Sequence, residues 1–254
     1  MEFRLLGPVE ATIADHPVQL GGVKPRTLLA ALLVEHGHVV PAERLVDVIW
    51  GDGPPGTARA VLQTYVSTLR RSLGGGVGTA IVTRSPGYLI RIGAATLDRD
   101  LFEEMLAQGR WAATAGRHEE AVELIRRAGG QWRGAALGGV ESELLAGEAA
   151  RLEELRLTAV EERTGIELLL GRTEQVAAEL TDLVRRHPFR ERMRGQLMRA
   201  LSALGRRPDA LAVYRDGRES MVDELGIEPG PEIQAIHEAI LREEPDRHRP
   251  PPSA

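Results

Sequence analysis

The chain has 254 residues, a formal net charge of −5 and no cysteine, which excludes disulfides and thiolate metal sites. No apolar run approaches the roughly 20 residues of a membrane-spanning helix. Met1 leads straight into strand-like Phe3-Arg4-Leu5-Leu6 and not into a basic segment with an apolar signal core, so a soluble, cytoplasmic protein of about two domains is expected.

Charge is unevenly placed. Residues 1–95 hold nine Lys or Arg and seven Asp or Glu, a net of about +2, whereas the remainder holds 23 and 30, about −7. A mildly basic head on an acidic body suits a head that meets nucleic acid and a body that stays off it. Lys24 is the only lysine, and Ala and Gly are abundant, as in a GC-rich genome. The position of an arginine, not its mere presence, therefore has to carry an argument.

In chain order, Phe3 to Leu6, Val9 to Ile13 and Val18 to Leu20 read as strands, separated by Gly7-Pro8 and Asp15-His16-Pro17. Lys24-Pro25 opens a helix that runs to about Glu35, with Leu28, Leu29, Leu32 and Leu33 inward and Gly37 as its stop. A second helix spans Pro41 to Trp50, and Gly51 to Gly56 form a tight loop. The third helix, Thr57 to Leu73, places Leu62, Val66, Leu69 and Leu73 on one side at spacings of three and four. Its other side carries Gln63, Thr64, Ser67 and Arg71, with Arg59 and Arg70 at the edges and no acid anywhere. A solvated face normally mixes acids with bases for i,i+4 pairing. Arg, Gln, Thr and Ser instead hydrogen-bond base edges and phosphates. An ordinary solvated helix that lacks acids by chance is the competing reading.

After Gly74 to Gly78, the runs Ala80-Ile81-Val82-Thr83 and Tyr88-Leu89-Ile90-Arg91-Ile92 predict a hairpin. Pro86-Gly87 suits the centre of a type II turn, which needs positive φ at the glycine. Arg84, at the end of the first strand, is placed to reach phosphate or the minor groove. A link at Gly93 to Asp98 follows. From Leu101 onward only helices are predicted: Leu101–Ala115, His118–Ala128, Leu144–Leu170, Thr173–His187, Glu191–Leu204, Pro208–Leu225 and Pro231–Glu243. Gly116-Arg117, Gly171-Arg172 and Gly205-Arg206 mark their corners. Gly171 and Gly205 lie 34 apart, the period of tetratricopeptide repeats, each followed by a helix with alanines at expected interior positions (Ala177 and Ala178; Ala210 and Ala212). The expected fold is an α+β winged helix-turn-helix N-terminal domain, residues 1–95, followed by an all-α, tetratricopeptide-like helical repeat domain, residues 98–243. A disordered tail covers residues 245–254.

The head resembles the winged-helix DNA-binding domain of OmpR-type response regulators and, more closely, that of the Streptomyces antibiotic regulatory proteins, a family of transcriptional activators. The match is carried by Phe3-Arg4-Leu5-Leu6-Gly7-Pro8-Val9, by Lys24-Pro25-Arg26-Thr27-Leu28-Leu29-Ala30-Ala31-Leu32-Leu33 and by Leu45-Val46-Asp47-Val48-Ile49-Trp50-Gly51. Leu62 to Leu73 and Pro86-Gly87-Tyr88 complete it. The body resembles the bacterial transcriptional activation domain of the same family, with Leu225-Gly226-Ile227-Glu228-Pro229-Gly230 as a further match.

The resemblance implies that the third helix enters the major groove. Arg70, Arg71 and Thr64 then become the leading DNA contacts, with Arg70 reaching deepest; a packing role is the alternative for Arg70. Gln63 would read adenine or bind phosphate, with Ser67 and Arg59 on the same helix. Thr68 is a departure, since many relatives carry Arg there. Trp50 would touch the backbone or belong to the core, Arg26 would meet phosphate, and Arg84 would serve the wing. The resemblance further implies a homodimer on promoter direct repeats, contacts to RNA polymerase and its sigma factor, and control of an antibiotic or other secondary-metabolite gene cluster. No membrane partner is implied.

Catalytic constellations do not emerge. His36 and His38 span a helix end without carboxylates at ligand spacing. Gly74-Gly75-Gly76 lacks the Lys-Ser/Thr of a phosphate loop. The pairs Glu103-Glu104, Glu153-Glu154 and Glu161-Glu162 read as solvated helix faces, and Trp111 and Trp132 as helical-core anchors. No enzyme activity, cofactor or metal is expected. The alternative function is a helical-repeat adaptor or signalling protein that binds proteins and not DNA.

Overall fold

The computed structural model describes residues 1–74 and 80–242; Gly75, Gly76, Gly78 and the expected tail lie outside the described residues. The elements run β1 (Glu2–Arg4), β2 (Glu10–Ile13), β3 (His16–Pro17), α1 (Val23–Val34), β4 (Val40–Pro41), α2 (Ala42–Trp50), α3 (Ala58–Ser72), β5 (Ala80–Arg84), β6 (Gly87–Arg91) and β7 (Thr96–Leu97). Helices follow: α4 (Asp98–Thr114), α5 (His118–Gly129), α6 (Glu143–Leu169), α7 (Thr173–Arg186), α8 (Glu191–Ala203), α9 (Arg207–Leu225) and α10 (Pro231–Arg242). Two compact units divide at Ala159/Val160, within α6. Among the described residues no helix is long and apolar enough to cross a membrane.

In the first unit, one sheet has the order β3-β2-β1-β7 and the other β4-β6-β5. Between Thr27 and Leu33 every residue of α1 is buried, so this helix has no polar stripe to show and lies at the centre of the core. Phe3, Leu5, Leu45, Leu62, Leu69 and Ile90 share that core. The third strand is not at Val18 to Leu20 as predicted. Ala14 and Asp15 both take positive φ, 47° and 63°, and close a two-residue turn that pairs Ile13 with His16. The ladder ends there with one further bond, from the Val18 N–H to the Ala11 carbonyl at 2.8 Å.

The segment from 93 to 98 is drawn into the same unit. β7 pairs in parallel with β1. The Asp98 carboxylate, buried, accepts the N–H groups of Leu5 at 2.7 Å and Leu6 at 3.0 Å. Residues 133–138 run along residues 5–9 through Arg133 N–H to the Leu6 carbonyl and Leu137 N–H to the Leu5 carbonyl, each 2.8 Å. The N-terminal segment is thus tied to α4 by the Asp98 carboxylate and to the α5–α6 connection by backbone hydrogen bonds.

The Gly-Arg corners are one motif used three times. Gly116, Gly171 and Gly205 have φ of 74°, 75° and 75°. In each, the following arginine N–H reaches back to a carbonyl five residues earlier: Arg117 to Ala112, Arg172 to Glu167 and Arg206 to Leu201, at 2.8–2.9 Å. This is the Schellman closure, and its left-handed position favours glycine.

In the second unit α8 packs against α7, α9 and α10. Val176, Leu180, Met193, Leu197, Met198, Leu201, Ile233 and Ile240 are buried there. Ala177 is buried as expected, but Ala178 is exposed, because it lies off the face that Val176, Ala177, Leu180 and Val184 bury. Glu161 is not solvated: it is buried and paired with Arg190 at 3.0 Å. Arg163 links Glu167 and Glu179, and their charges and hydrogen bonds outweigh its burial and hold its pKa above the usual arginine value.

Of the two tryptophans expected as core anchors, Trp111 departs from that expectation. Trp111 is 66% exposed, with the Arg117 guanidinium 4.1 Å from its ring centre. Trp132 is half-buried and meets Phe102 edge-on at 5.6 Å.

Candidate nucleic-acid interface

Helix α3 buries Ala58, Leu62, Val66 and Leu69, which fixes the direction of everything opposite them. Arg59, Gln63, Thr64, Ser67, Arg70 and Arg71 are exposed, and Thr68 is half-buried. The exposed face carries three guanidinium groups and no carboxylate of its own helix. Arg70 and Arg71 sit in the last turn, where cations also favour the helix dipole. The Thr64 hydroxyl donates to the Ala60 carbonyl at 3.1 Å, which leaves its methyl group and oxygen lone pairs outward.

The hairpin β5–β6 shares the buried core with the apolar face of this helix, and Arg70 adds hydrogen bonds at the exposed edge. Arg70 Nε donates to the Ile81 carbonyl and Nη2 to the Thr83 hydroxyl, both at 2.8 Å. Arg84 and Arg91 are exposed on the hairpin. The turn itself differs from the type II expectation. Arg84 pairs with Gly87, so Ser85 and Pro86 are the central residues; the Ser85–Pro86 peptide is cis, and Gly87 is not in the left-handed region. Glycine is needed at 87 for another reason. A Cβ there would lie 2.0 Å from the Val40 carbonyl oxygen, where β4 pairs with β6.

Trp50 is half-buried and packs on the core; its ring stacks on Tyr65 at 6.1 Å, and the Lys24 ammonium lies 5.2 Å above it. Arg59 is ion-paired with Glu43, with both side chains largely exposed. Arg26 goes elsewhere. It is half-buried, lies against Gly139, and its buried Nε has no hydrogen-bond partner. The structure therefore joins Arg70 to the hairpin, Arg59 to α2, and Trp50 to Tyr65, while Arg26 is turned toward the 136–139 loop.

Sequence reasoning missed Lys24, Glu43, Tyr65 and Thr83. Glu43 lies 16 residues from Arg59, outside any helical spacing, and only the crossing of α2 and α3 brings them together. A cleft of about 420 Å³ opens beside this pair, bounded by Pro41, Ala42, Gln63 and Pro86. His36, whose sequence neighbourhood holds no carboxylate at ligand spacing, meets Asp100 at 2.9 Å. Among the described residues no group of three or more metal-ligating side chains converges.

Residues 16–90 match the family model for the C-terminal domain of transcriptional regulatory proteins, and residues 97–241 match that of the bacterial transcriptional activator domain. The regulatory protein AfsR of Streptomyces griseus is 38% identical over 250 residues, which are 98% of this chain and 25% of AfsR. The regulatory protein DnrI of Streptomyces peucetius is 36% identical over 261 residues, with 98% and 96% of the two chains covered. A structure of Mycobacterium tuberculosis EmbR in complex with a low-affinity phosphopeptide superimposes with a TM-score of 0.89 at 36% identity, covering 95% of this chain and 65% of EmbR. The chain thus spans about a quarter of AfsR, about two thirds of EmbR and nearly all of DnrI.

Proposed function

We propose a promoter-binding activator: the chain belongs to the Streptomyces antibiotic regulatory protein family of transcriptional activators, with a winged helix-turn-helix head and a bacterial transcriptional activator domain. In this reading residues 1–95 bind DNA, and residues 98–243 serve dimerisation and contact with the transcription machinery. The observation that carries it is the exposed, acid-free face of α3, flanked by a hairpin that Arg70 holds in place.

In this reading α3 lies in the major groove. Gln63, Thr64, Ser67 and Arg71 face base edges and phosphates, Thr68 borders them, and Arg84 follows the adjacent backbone or minor groove. Arg70 spans both tasks, fixing the hairpin and entering the groove. Trp50 lies at the margin with Lys24, where an ammonium over an aromatic ring offers a backbone contact. Arg26 serves packing in this reading, because its side chain is directed to Gly139. A homodimer on promoter direct repeats would recruit RNA polymerase through its sigma factor and switch on a secondary-metabolite gene cluster from the cytoplasm, with no catalytic step of its own.

The test is fluorescence anisotropy of the whole chain on promoter fragments from its own gene neighbourhood and on random duplex. The expected result is tighter binding to a promoter fragment, falling steeply with salt as counterions are released. A flat response from folded protein on every fragment would instead favour a protein-binding adaptor.

A further inference from the structure

A carboxylate borders the acid-free face of α3, and it comes from another helix. Glu43, in the first turn of α2, is paired with Arg59, in the first turn of α3. Their side chains are 77% and 73% exposed. An exposed ion pair of this kind contributes little to folding, because water and salt screen it. It is therefore easily broken, and a better anion can take the arginine. The cleft of about 420 Å³ beside the pair is bounded by the start of α2, by Gln63 and by Pro86 of the hairpin turn. These are the three elements that would close around a nucleic-acid backbone if α3 entered the groove.

We propose that this cleft is a site for a DNA backbone phosphodiester, and that Arg59 is handed from Glu43 to that phosphate on binding. This rests on the reading of α3 as the DNA-facing helix. Glu43 then has a definite effect. It occupies Arg59 in the free protein and sets its own negative charge beside the incoming phosphate, so it lowers affinity for every duplex without regard to sequence. A phosphate contact positions the protein and carries no base information. Glu43 thus limits non-specific binding, against which any promoter site must compete.

The experiment is a double-mutant cycle on the whole chain, with Glu43→Gln, Arg59→Ala and the double variant titrated against promoter and random duplex. Expected results are a roughly threefold tightening on both duplexes for Glu43→Gln, weakening on both for Arg59→Ala, and a clearly smaller tightening by Glu43→Gln in the Arg59→Ala background, where only its direct repulsion of the phosphate is left to remove. The Arg59→Ala variant should also show a log-log salt slope smaller by about one. A scan of neutral methylphosphonate linkages through the duplex should find one position that weakens the wild type and leaves Arg59→Ala unchanged, with Arg59→Lys retaining the dependence. All variants are surface changes, and matched thermal melts confirm that they are folded. Undiminished tightening by Glu43→Gln in the Arg59→Ala background would overturn the exchange in favour of a diffuse charge effect. So would a methylphosphonate scan with no Arg59-dependent position. Folded wild type that binds no duplex would overturn the DNA reading and this inference together, a result distinct from normal binding without coupling.

Discussion

Arg70 of α3 donates from Nε to the backbone carbonyl of Ile81 in the hairpin at 2.8 Å, and its Nη2 adds the Thr83 hydroxyl at the same distance. One side chain of the proposed DNA-facing helix thereby adds hydrogen bonds to the strand that the buried core already packs beside it. The guanidinium fork suits this, because its nitrogens address two acceptors in one plane; a lysine ammonium is a point donor.

Arg70→Ala is expected to lower thermal stability by about 1–2 kcal/mol, since charged donors to two oxygens are lost at a partly exposed site. It should weaken promoter binding by roughly 1–3 kcal/mol. Arg71→Ala, exposed in the same turn, should weaken DNA binding with an unchanged melting curve. Thermal melts and anisotropy titrations of both variants separate the two roles. A melting curve unmoved by Arg70→Ala, with loss confined to the promoter duplex, would leave Arg70 as a base reader alone.

Asp98 makes the second prediction. Its buried carboxylate accepts the N–H groups of Leu5, Leu6 and Arg99 at 2.7–3.0 Å and meets Arg133 at 3.3 Å. Alanine there leaves buried amides without acceptors, at a cost of about 2–4 kcal/mol in urea unfolding. A fragment ending at residue 95 lacks both β7 and this carboxylate, so it should unfold at a lower urea concentration than residues 1–159. Equal midpoints for the two fragments would show that the head needs nothing beyond its own sheet.

Much of this architecture is legible in the sequence, and the exceptions have common causes. The helices of the body fall within a few residues of their predicted bounds because Gly-Arg corners and prolines punctuate them and the apolar spacing is regular. The two-residue strands β4 and β7 carry no periodicity to detect, and β3 lies before its predicted position because Ala14-Asp15 does not look like a turn formed at positive φ. Burial of Glu161 is hidden for a different reason. The long helix α6 has no single apolar stripe, and the partner that makes burial tolerable, Arg190, is 29 residues away. At the interface, the polar face of α3 is readable from spacing alone. Which of its arginines is held, and by what, depends on contacts with Glu43, Ile81 and Thr83 that no local pattern encodes.

The Glu161–Arg190 pair yields a third expectation. Their side chains are 8% and 17% exposed, so removing Glu161 takes an ion-pair partner from a guanidinium held in low dielectric. Glu161→Ala should destabilise the second unit by about 3–5 kcal/mol, and adding Arg190→Met should restore part of that loss. Urea unfolding of the two variants checks it; additive losses would mean that the pair is not coupled.

Gly87 gives the last expectation, because it and Gly171 exclude a side chain for different physical reasons. At Gly171 the difficulty is conformational. Its φ is 75°, and a Cβ there would meet nothing within 4 Å, so backbone strain is the whole of the penalty. Gly171→Ala should therefore cost about 1–2 kcal/mol and leave DNA binding intact. At Gly87 the difficulty is contact. An added Cβ would lie 2.0 Å from the Val40 oxygen and 2.8 Å from the Ala42 nitrogen, both of them backbone atoms that cannot swing aside. Gly87→Ala must therefore separate β6 from β4 and shift the turn end of the hairpin, where Arg84 sits. The expected outcome is a larger loss of stability than at Gly171, together with weaker binding to every duplex. Parallel thermal melts and anisotropy titrations of Gly87→Ala and Gly171→Ala test the contrast. Equal melting shifts with unaltered DNA affinity in both would show that the β4–β6 pairing yields without moving the hairpin.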